Sequence, residues 1–127
     1  MTLENYPVHS TVPAADLERA KAFYADKLGL KPERERPDGV EYRSGNTTFL
    51  LYPTQFAGTA QNTAAGWRVD DALAVVKELA SNGVQFEQYD MPGLKTDENG
   101  IAEFGAGRGA WFKDSEGNIL AIVQMDE

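Results

Sequence analysis

Trp111-Phe112-Lys113-Asp114-Ser115-Glu116-Gly117-Asn118 is the stretch that decides how this chain folds. Its aromatic residues belong to a β-favouring run, and the polar residues after them form a turn into the last apolar run, residues 118–124. The pair Gly117-Asn118 has a counterpart in Gly45-Asn46, which precedes an earlier apolar run at residues 47–52. The same turn-and-strand element therefore occurs near the end of each half of the chain.

A helix precedes this element in both halves. Asp16 is a suitable N-cap for a helix over residues 16–27, and Asp70 or Asp71 can cap a second helix. Leu28-Gly29-Leu30 follows the first helix as Asn82-Gly83-Val84 follows the second, each glycine in the position where a helix ends. The two halves are thus predicted to share one order of elements.

Runs of β-favouring residues flank both helices. They predict strands at residues 7–11, 31–36, 40–43 and 47–52 in the first half, and 64–69, 84–89, 101–104, 109–113 and 118–124 in the second. Pro13 is expected to end the first strand, because proline has no N–H to donate to a ladder. Residues 90–100 read as a long loop, a functional lid or a disordered segment.

These elements predict a single α+β domain over residues 1–127. Module one spans about 6–53, a linker follows at 54–63, and module two spans about 64–125. Each module has the order βαβββ. Pairing the two buries the helices on the convex side of a curved mixed sheet and leaves a cavity on its concave side.

Composition limits the classes of function. The chain has 42% hydrophobic and 25% charged residues, a net charge of −8 and no cysteine. No apolar run approaches the roughly 20 residues of a membrane span, and no basic cluster suits nucleic acid. The absence of cysteine excludes thiolate chemistry, and residues 1–7 do not resemble a secretory signal, so we expect a cytoplasmic protein. The acidity favours solubility and, secondarily, a neutral or cationic ligand.

Three motifs together resemble the vicinal oxygen chelate superfamily of glyoxalases, bleomycin- and fosfomycin-resistance proteins and extradiol dioxygenases. They are Asp16-Leu17 at the helix start, Phe23-Tyr24 before Leu28-Gly29-Leu30, and the stretch 111–118. The resemblance extends from about Pro7 to Met125, with Ser115 where the family usually has proline. It implies a two-module fold and a homodimer, but these motifs are structural and do not specify an activity.

The resemblance also implies where a metal would be held. The family takes its ligands from four strand positions, which in this chain hold His9, Leu50 (or Phe49 if the register shifts by one), Ala64 and Ala121. A divalent metal needs three or more protein ligands, and only the histidine can serve. We therefore expect no metal cofactor. The alternative is a displaced site that uses Glu103, Glu41 or Asp97.

Strand alternation suggests which side chains meet a ligand. It places His9, Thr11, Thr48, Tyr52 and Arg68 on the concave face, and Ser10, Val12 and Trp67 toward the helices. A guanidinium in a hollow needs a carboxylate, either from Glu103 or from a ligand. Trp111 can stack on a planar ligand or fill the space. The candidate ligand-binding residues are His9, Thr11, Tyr52, Arg68, Glu103 and Trp111.

Three kinds of function remain open. The first is binding of a small, aromatic or partly cationic organic molecule in a metal-free cavity. The second is a glyoxalase-like lyase, isomerase or dioxygenase, in which His9 acts with Tyr52 or Glu103, or displaced ligands hold a metal. The third is a non-catalytic structural subunit whose cavity is filled by its own side chains. His9 is the one candidate catalytic residue, and its alternative is a histidine whose polar tip is satisfied by backbone or water.

Overall fold

The computed structural model describes residues 2–126; residues 1 and 127 of the predicted domain lie outside this range. Module one contains β1 (Ser10–Ala14), α1 (Leu17–Asp26), β2 (Pro32–Arg36), β3 (Gly39–Ser44) and β4 (Thr47–Pro53). Module two contains β5 (Thr63–Arg68), α2 (Ala72–Ser81), β6 (Asp90–Met91), β7 (Leu94–Lys95), β8 (Ile101–Phe104), β9 (Gly107–Lys113) and β10 (Ile119–Met125). A short 3-10 helix at Leu3–Asn5 precedes β1. No helix within the described residues is long and apolar enough to cross a membrane.

The two modules form sheets of the same topology. Their strand orders are β1-β4-β3-β2 and β5-β10-β9-β8. In each sheet the first strand runs parallel to the last, and the remaining pairs are antiparallel. The sheets approach each other along β1 and β5. The predicted α+β fold of two βαβββ modules is confirmed.

One hydrophobic core joins the modules. Val12 pairs with Leu51 across β1 and β4, and both are almost fully buried beneath α1. Phe112 and Leu120, paired across β9 and β10 of module two, belong to the same cluster. The sequence prediction that Val12 and Trp67 face the helices is confirmed, since Val12 lies in this core and Trp67 packs against it. Burial of this shared apolar surface favours docking of the modules.

The turn quoted at the outset carries a buried polar network. Asp114 Oδ1 accepts hydrogen bonds from the backbone N–H groups of Glu116 and Asn118, both at 2.9 Å. Asp114 Oδ2 accepts from the Tyr24 hydroxyl of α1 at 2.8 Å and from Asn118 Nδ2 at 2.9 Å. Asn118 Nδ2 also donates to the Pro13 carbonyl at 2.7 Å. The turn of module two is therefore bonded to both β1 and α1 of module one.

Glu116 extends this connection to the start of α1. Its carboxylate accepts from Arg19 at 2.8 and 2.9 Å and from the backbone N–H of Asp16 at 2.9 Å. The Glu116 side chain has 0% of its surface exposed, whereas that of Arg19 is half exposed. The hydrogen bond from Arg19 is the largest cause that holds the pKa of Glu116 at about 2, well below its ordinary value. Asp16 itself caps α1 by accepting from Arg19 N, as the sequence predicted.

The linker between modules packs onto the same turn. Gly58 adopts a φ of +77°, and a Cβ there would lie 2.5 Å from the Glu116 carbonyl oxygen. Only glycine fits such an approach without strain. The linker therefore contributes to the contact between the modules as well as connecting them.

Three local predictions differ from the structure. Pro13 lies inside β1, opposite Tyr52, and does not end the strand. β1 is bonded to β4 on one side only, and an edge strand tolerates a proline that lacks a donor. Residues 84–89 do not form a strand; Phe86 makes an isolated bridge to Phe112. The predicted loop at 90–100 contains the β6–β7 hairpin and a bridge from Thr96 to Ala102.

Replacing the buried carboxylate tests the contact between modules. We expect Glu116→Gln to lower the free energy of unfolding at pH 7 by about 1–3 kcal/mol, because a charge-assisted pair with Arg19 is lost. Since the pKa of Glu116 is lower in the folded state, its contribution is complete above about pH 5 and is lost as the pH falls toward 2. Urea unfolding from pH 7 to pH 2 measures both effects.

Glu33→Gln is the matched control, because Glu33 pairs with Arg43 at 3.0 Å on the exposed surface. Exposed pairs contribute about 0–1 kcal/mol. A wild-type pH dependence no steeper than that of Glu116→Gln would contradict the role assigned to Glu116.

Candidate functional site

The candidate site is a cavity of about 540 Å³ at the junction of the modules. It lies between the start of β1, the β3–β4 hairpin and β5. Its walls are formed by Val8, His9, Ser10, Val12, Tyr24, residues 44–49 and residues 65–69. The volume lies within the range of small-molecule sites. We call this space the junction cavity.

The β3–β4 hairpin supplies one wall. Ser44 pairs with Thr47, so Gly45 and Asn46 form a two-residue turn. Gly45 has a φ of +60°, which glycine adopts easily at the first central position of a type II′ turn. The Trp67 indole N–H of β5 donates to Ser44 Oγ at 2.9 Å and so ties this hairpin to module two.

Aromatic rings form the apolar part of the lining. Phe49 and Trp67 meet edge to face, with ring centroids 6.2 Å apart and planes at 89°. Tyr24 lies beside Phe49 at 6.0 Å. Burial, with the Asp114 carboxylate, raises the pKa of Tyr24 above its ordinary value, so its hydroxyl stays protonated as the donor to Asp114. Tyr24 is fully buried, so its ring supports the wall behind Phe49 and its hydroxyl does not serve as a general base.

The polar part of the lining consists of hydrogen-bond donors and uncharged polar side chains. Its polar side chains are those of His9, Ser10, Ser44, Asn46, Thr47, Thr48 and Arg68, besides Tyr24. Among the described residues, no carboxylate lines the cavity. The arrangement can bind an organic molecule through ring contacts and hydrogen bonds.

The structure brings two of the six predicted ligand-binding residues together in this cavity. His9, which precedes β1 and is exposed, and Arg68 of β5 both line it. Thr11 and Tyr52 do not line it; they lie on β1 and β4, with Thr11 opposite Leu50 on the face away from the Val12–Leu51 pair.

Trp111 and Glu103 lie elsewhere in module two. Trp111 is opposite Ala121 and contacts Tyr89 edge to face at 5.9 Å. Glu103 pairs with Arg108, Nε to Oε2 at 3.1 Å, beside a separate cleft near the start of α2. Their roles as ligand-binding residues stay predictions, but neither side chain lines the junction cavity.

The positions that resemble the family's metal ligands do not fit a metal. Leu50, Ala64 and Ala121 carry no donor, and Ala121 is 4% exposed opposite Trp111. Across residues 2–126, no three His, Cys, Asp or Glu side chains are grouped to hold a metal ion.

The displaced alternatives are engaged in other contacts. Glu41 lies 4.0 Å from Arg34, and Asp97 Oδ1 accepts from the backbone N–H groups of Asn99 and Ile101. Glu103 is paired with Arg108. Each of these three carboxylates therefore contacts a side chain or backbone groups close to it, and the three do not converge on His9.

Sequence reasoning missed the aromatic wall. Trp67 was assigned toward the helices, and Phe49 was considered only as the alternative to Leu50 at a metal-ligand position, whereas at the junction both residues border the cavity. The hairpin tip at Asn46 was recognised as a turn, but its approach to β5 depends on how the modules dock. The alternating pattern predicts on which face of a sheet a side chain lies, but it does not predict the distance between two sheets.

Comparison with known proteins gives a consistent family match. A model of the glyoxalase/bleomycin resistance protein/dioxygenase superfamily matches residues 7–122. No protein of curated function matches the sequence significantly.

Solved structures are similar in fold at low sequence identity. A glyoxalase/bleomycin resistance protein/dioxygenase from Alicyclobacillus acidocaldarius has 20% identity and a TM-score of 0.69, with 100% of this chain and 96% of that chain covered. TnmS3, an antibiotic binding protein from Streptomyces sp. CB03234, has 23% identity and a TM-score of 0.64 over 94% and 98% of the two chains. Lactoylglutathione lyase from Agrobacterium tumefaciens has 20% identity and a TM-score of 0.62 over 94% and 93%. At these identities the likeness concerns the fold alone.

Removing the hydrogen bond across the junction should loosen the cavity wall. We expect Ser44→Ala to lower the free energy of unfolding by about 1–2 kcal/mol, because the part-buried Trp67 N–H loses its acceptor. Urea unfolding measures the loss, and the ¹⁵N–¹H signal of the Trp67 indole should shift. Ser81→Ala is the control, since Ser81 Oγ donates to the Glu78 carbonyl on the exposed side of α2. Equal effects of the two variants would contradict a special role for Ser44.

Proposed function

The chain belongs to the glyoxalase/bleomycin resistance protein/dioxygenase superfamily, and from that premise we propose that it binds a small planar organic molecule in the junction cavity without a metal. The observation that carries the proposal is an aromatic-walled cavity of about 540 Å³ in which, among the described lining residues, His9 is the one His, Cys, Asp or Glu. This is the binding-protein function among the three that the sequence left open.

The lining supports binding by stacking and hydrogen bonding. Trp67 is half-buried and offers ring surface, with the largely buried Phe49 packed against it edge to face. Aromatic contacts contribute about 0.5–1.5 kcal/mol beyond the area that they bury. His9 and Arg68 are the predicted residues that we assign to polar contact with the ligand. Thr11, Tyr52 and Trp111 would serve only a ligand on the opposite face of the sheets, and Glu103 only one near the cleft beside α2.

An enzyme of the lyase type is the less favoured alternative. Metal-dependent chemistry in this fold would need donors that Leu50, Ala64 and Ala121 do not supply. Among the residues that the structure describes, no carboxylate lines the cavity beside His9, so the lining supplies no acidic partner to orient a base there.

Assembly and location belong to the same proposal. We include a homodimer, as the resemblance implies, and the exposed apolar side chains of Leu3, Tyr6 and Phe56 offer surface that a second copy could cover. Location in the cytoplasm stays a prediction from the sequence.

A pair of tryptophan variants tests where the ligand binds. Isothermal titration with planar aromatic compounds should give saturable binding that Trp67→Phe weakens about tenfold, because a large ring surface and an N–H donor are altered. Trp111→Phe should leave the affinity unchanged, since Trp111 does not line the cavity. The reverse order would place the site on the opposite face, as the sequence predicted.

Metal content and turnover complete the test. Protein purified without chelator should contain no stoichiometric zinc, nickel, manganese or iron by elemental analysis, and an aldehyde–thiol adduct should not be converted. A stoichiometric metal that is lost in His9→Ala would overturn the proposal in favour of the enzyme.

A further inference from the structure

We propose that the ligand of the junction cavity is a planar ring with a short alkyl arm, and that the arm occupies a second cleft on the other side of Trp67. This inference rests on the proposed function and adds the chemical class of the ligand. It assigns a role to a part of the molecule that ring binding alone leaves unused.

The second cleft has a volume of about 220 Å³. It lies between the segment that follows α1, the end of β3, β5 and α2, so both modules contribute to it. We call this space the arm cleft. Its volume is below the range of about 300–1,000 Å³ that holds a whole small-molecule ligand. The arm cleft is therefore suited to part of a ligand whose main body lies elsewhere.

The arm cleft adjoins the junction cavity. Ser44, Trp67 and Val69 line both spaces. The Trp67 indole N–H donates to Ser44 Oγ at 2.9 Å, so this bonded pair stands between the two spaces. Single side chains separate them at these points, and a ring seated against Trp67 in the junction cavity is adjacent to the cleft.

Apolar side chains form the floor and the rim of the arm cleft. Its floor consists of buried side chains, those of Leu79, Phe112 and Ile122. Its rim includes half-buried side chains, those of Leu28, Leu30 and Val75. An occupant that covers this rim removes apolar surface from water on both sides of the contact, which favours binding.

Polar groups are few in the arm cleft and do not suit a polar arm. Besides Trp67, the described lining residues with polar side chains are Ser44, which already accepts from the Trp67 N–H, and Glu78, which is exposed on α2. A polar arm would give up its hydrogen bonds to water without full replacement, whereas an alkyl arm has none to give up. The lining therefore selects an apolar substituent.

The motif Leu28-Gly29-Leu30 positions the rim on module one. Gly29 has a φ of +71°, which lets the chain turn out of α1, and the Leu30 N–H donates to the Tyr24 carbonyl at 2.9 Å. The two leucines are thus held at the end of the helix, where the sequence indicated only a helix stop. Val75 of α2 supplies the part of the rim that belongs to module two.

A series of uncharged esters tests for the arm. Methyl, ethyl, propyl and butyl 4-hydroxybenzoate share one ring and differ only in the length of the alkyl chain. They are titrated into the full chain by calorimetry, with the ¹⁵N–¹H signal of the Trp67 indole as the report on the site. We expect the affinity to rise about three- to fourfold for each methylene, or about thirty- to sixtyfold from methyl to butyl.

Filling the arm cleft should remove this gain. We expect Val75→Phe to leave the affinity for the methyl ester unchanged and to abolish the increase from methyl to butyl, because its ring occupies the space of the arm. Ala74→Phe is the matched control, since Ala74 is the exposed neighbour on α2 and does not line the cleft. It should keep the full increase.

Methyl signals of the rim provide a test without any substitution. In the wild-type chain, the ¹³C–¹H methyl signals of Leu28 and Leu30 should shift with the butyl ester and stay in place with the methyl ester. Signals that do not respond to the butyl ester would contradict occupation of the arm cleft, even if Val75→Phe proved unstable.

The outcomes separate this inference from the proposed function. If no ester shifts the Trp67 signal at millimolar concentration, ring binding in the junction cavity fails and the arm fails with it. If the esters shift that signal but bind equally, or if Val75→Phe keeps the chain-length gain, only the arm is overturned. A change of oligomeric state in Val75→Phe without any effect of chain length would assign the cleft to a second copy and also overturn it.

Discussion

The buried turn at residues 114–118 constrains everything else in this molecule. Within residues 2–126, the buried charged or amide side chains are those of Asp114, Glu116 and Asn118, and each is bonded to module one. A buried carboxylate without partners would cost several kcal/mol, so the turn is tolerable only while α1 and β1 are docked against it. The same contacts satisfy backbone groups at the start of α1, which a helix leaves without intrahelical partners.

This constraint also shapes the cavity. The shared core places Phe49 of module one beside Trp67 of module two, and the Trp67–Ser44 hydrogen bond holds the hairpin against β5. The C-terminal ends of the helices are joined as well, since Asn82 Nδ2 donates to the Lys27 carbonyl at 3.1 Å. The walls of the cavity come from both modules, β1 and the β3–β4 hairpin from one and β5 from the other, so its shape depends on how the modules dock.

The sequence specified the local structure well and the docking less well. The caps at Asp16 and Asp71, the glycine turns and the burial of Val12 follow from local geometry, which residue type and spacing reveal. The position of Pro13 within β1 and the absence of a strand at 84–89 do not follow from local geometry, because they depend on which strand edges are left unpaired. Alternation grouped His9 and Arg68 with Thr11 and Tyr52 on a concave face, whereas in the structure they line a cavity together with Val12 and Trp67. Asn46 and Phe49 join that lining only through the approach of two sheets. Net charge averages over an acidic cleft and a cavity with no carboxylate among its described lining residues, so it does not give the local charge of either.

Native-state hydrogen exchange tests most directly whether the two modules are one cooperative unit. If the buried turn and shared core join them, the slowest-exchanging amides of β4 and of β10 should open with the same free energy, equal to that of global unfolding. They should also respond equally to urea. A set of amides in one module that exchanges through a smaller opening, while the other module stays protected, would contradict the account.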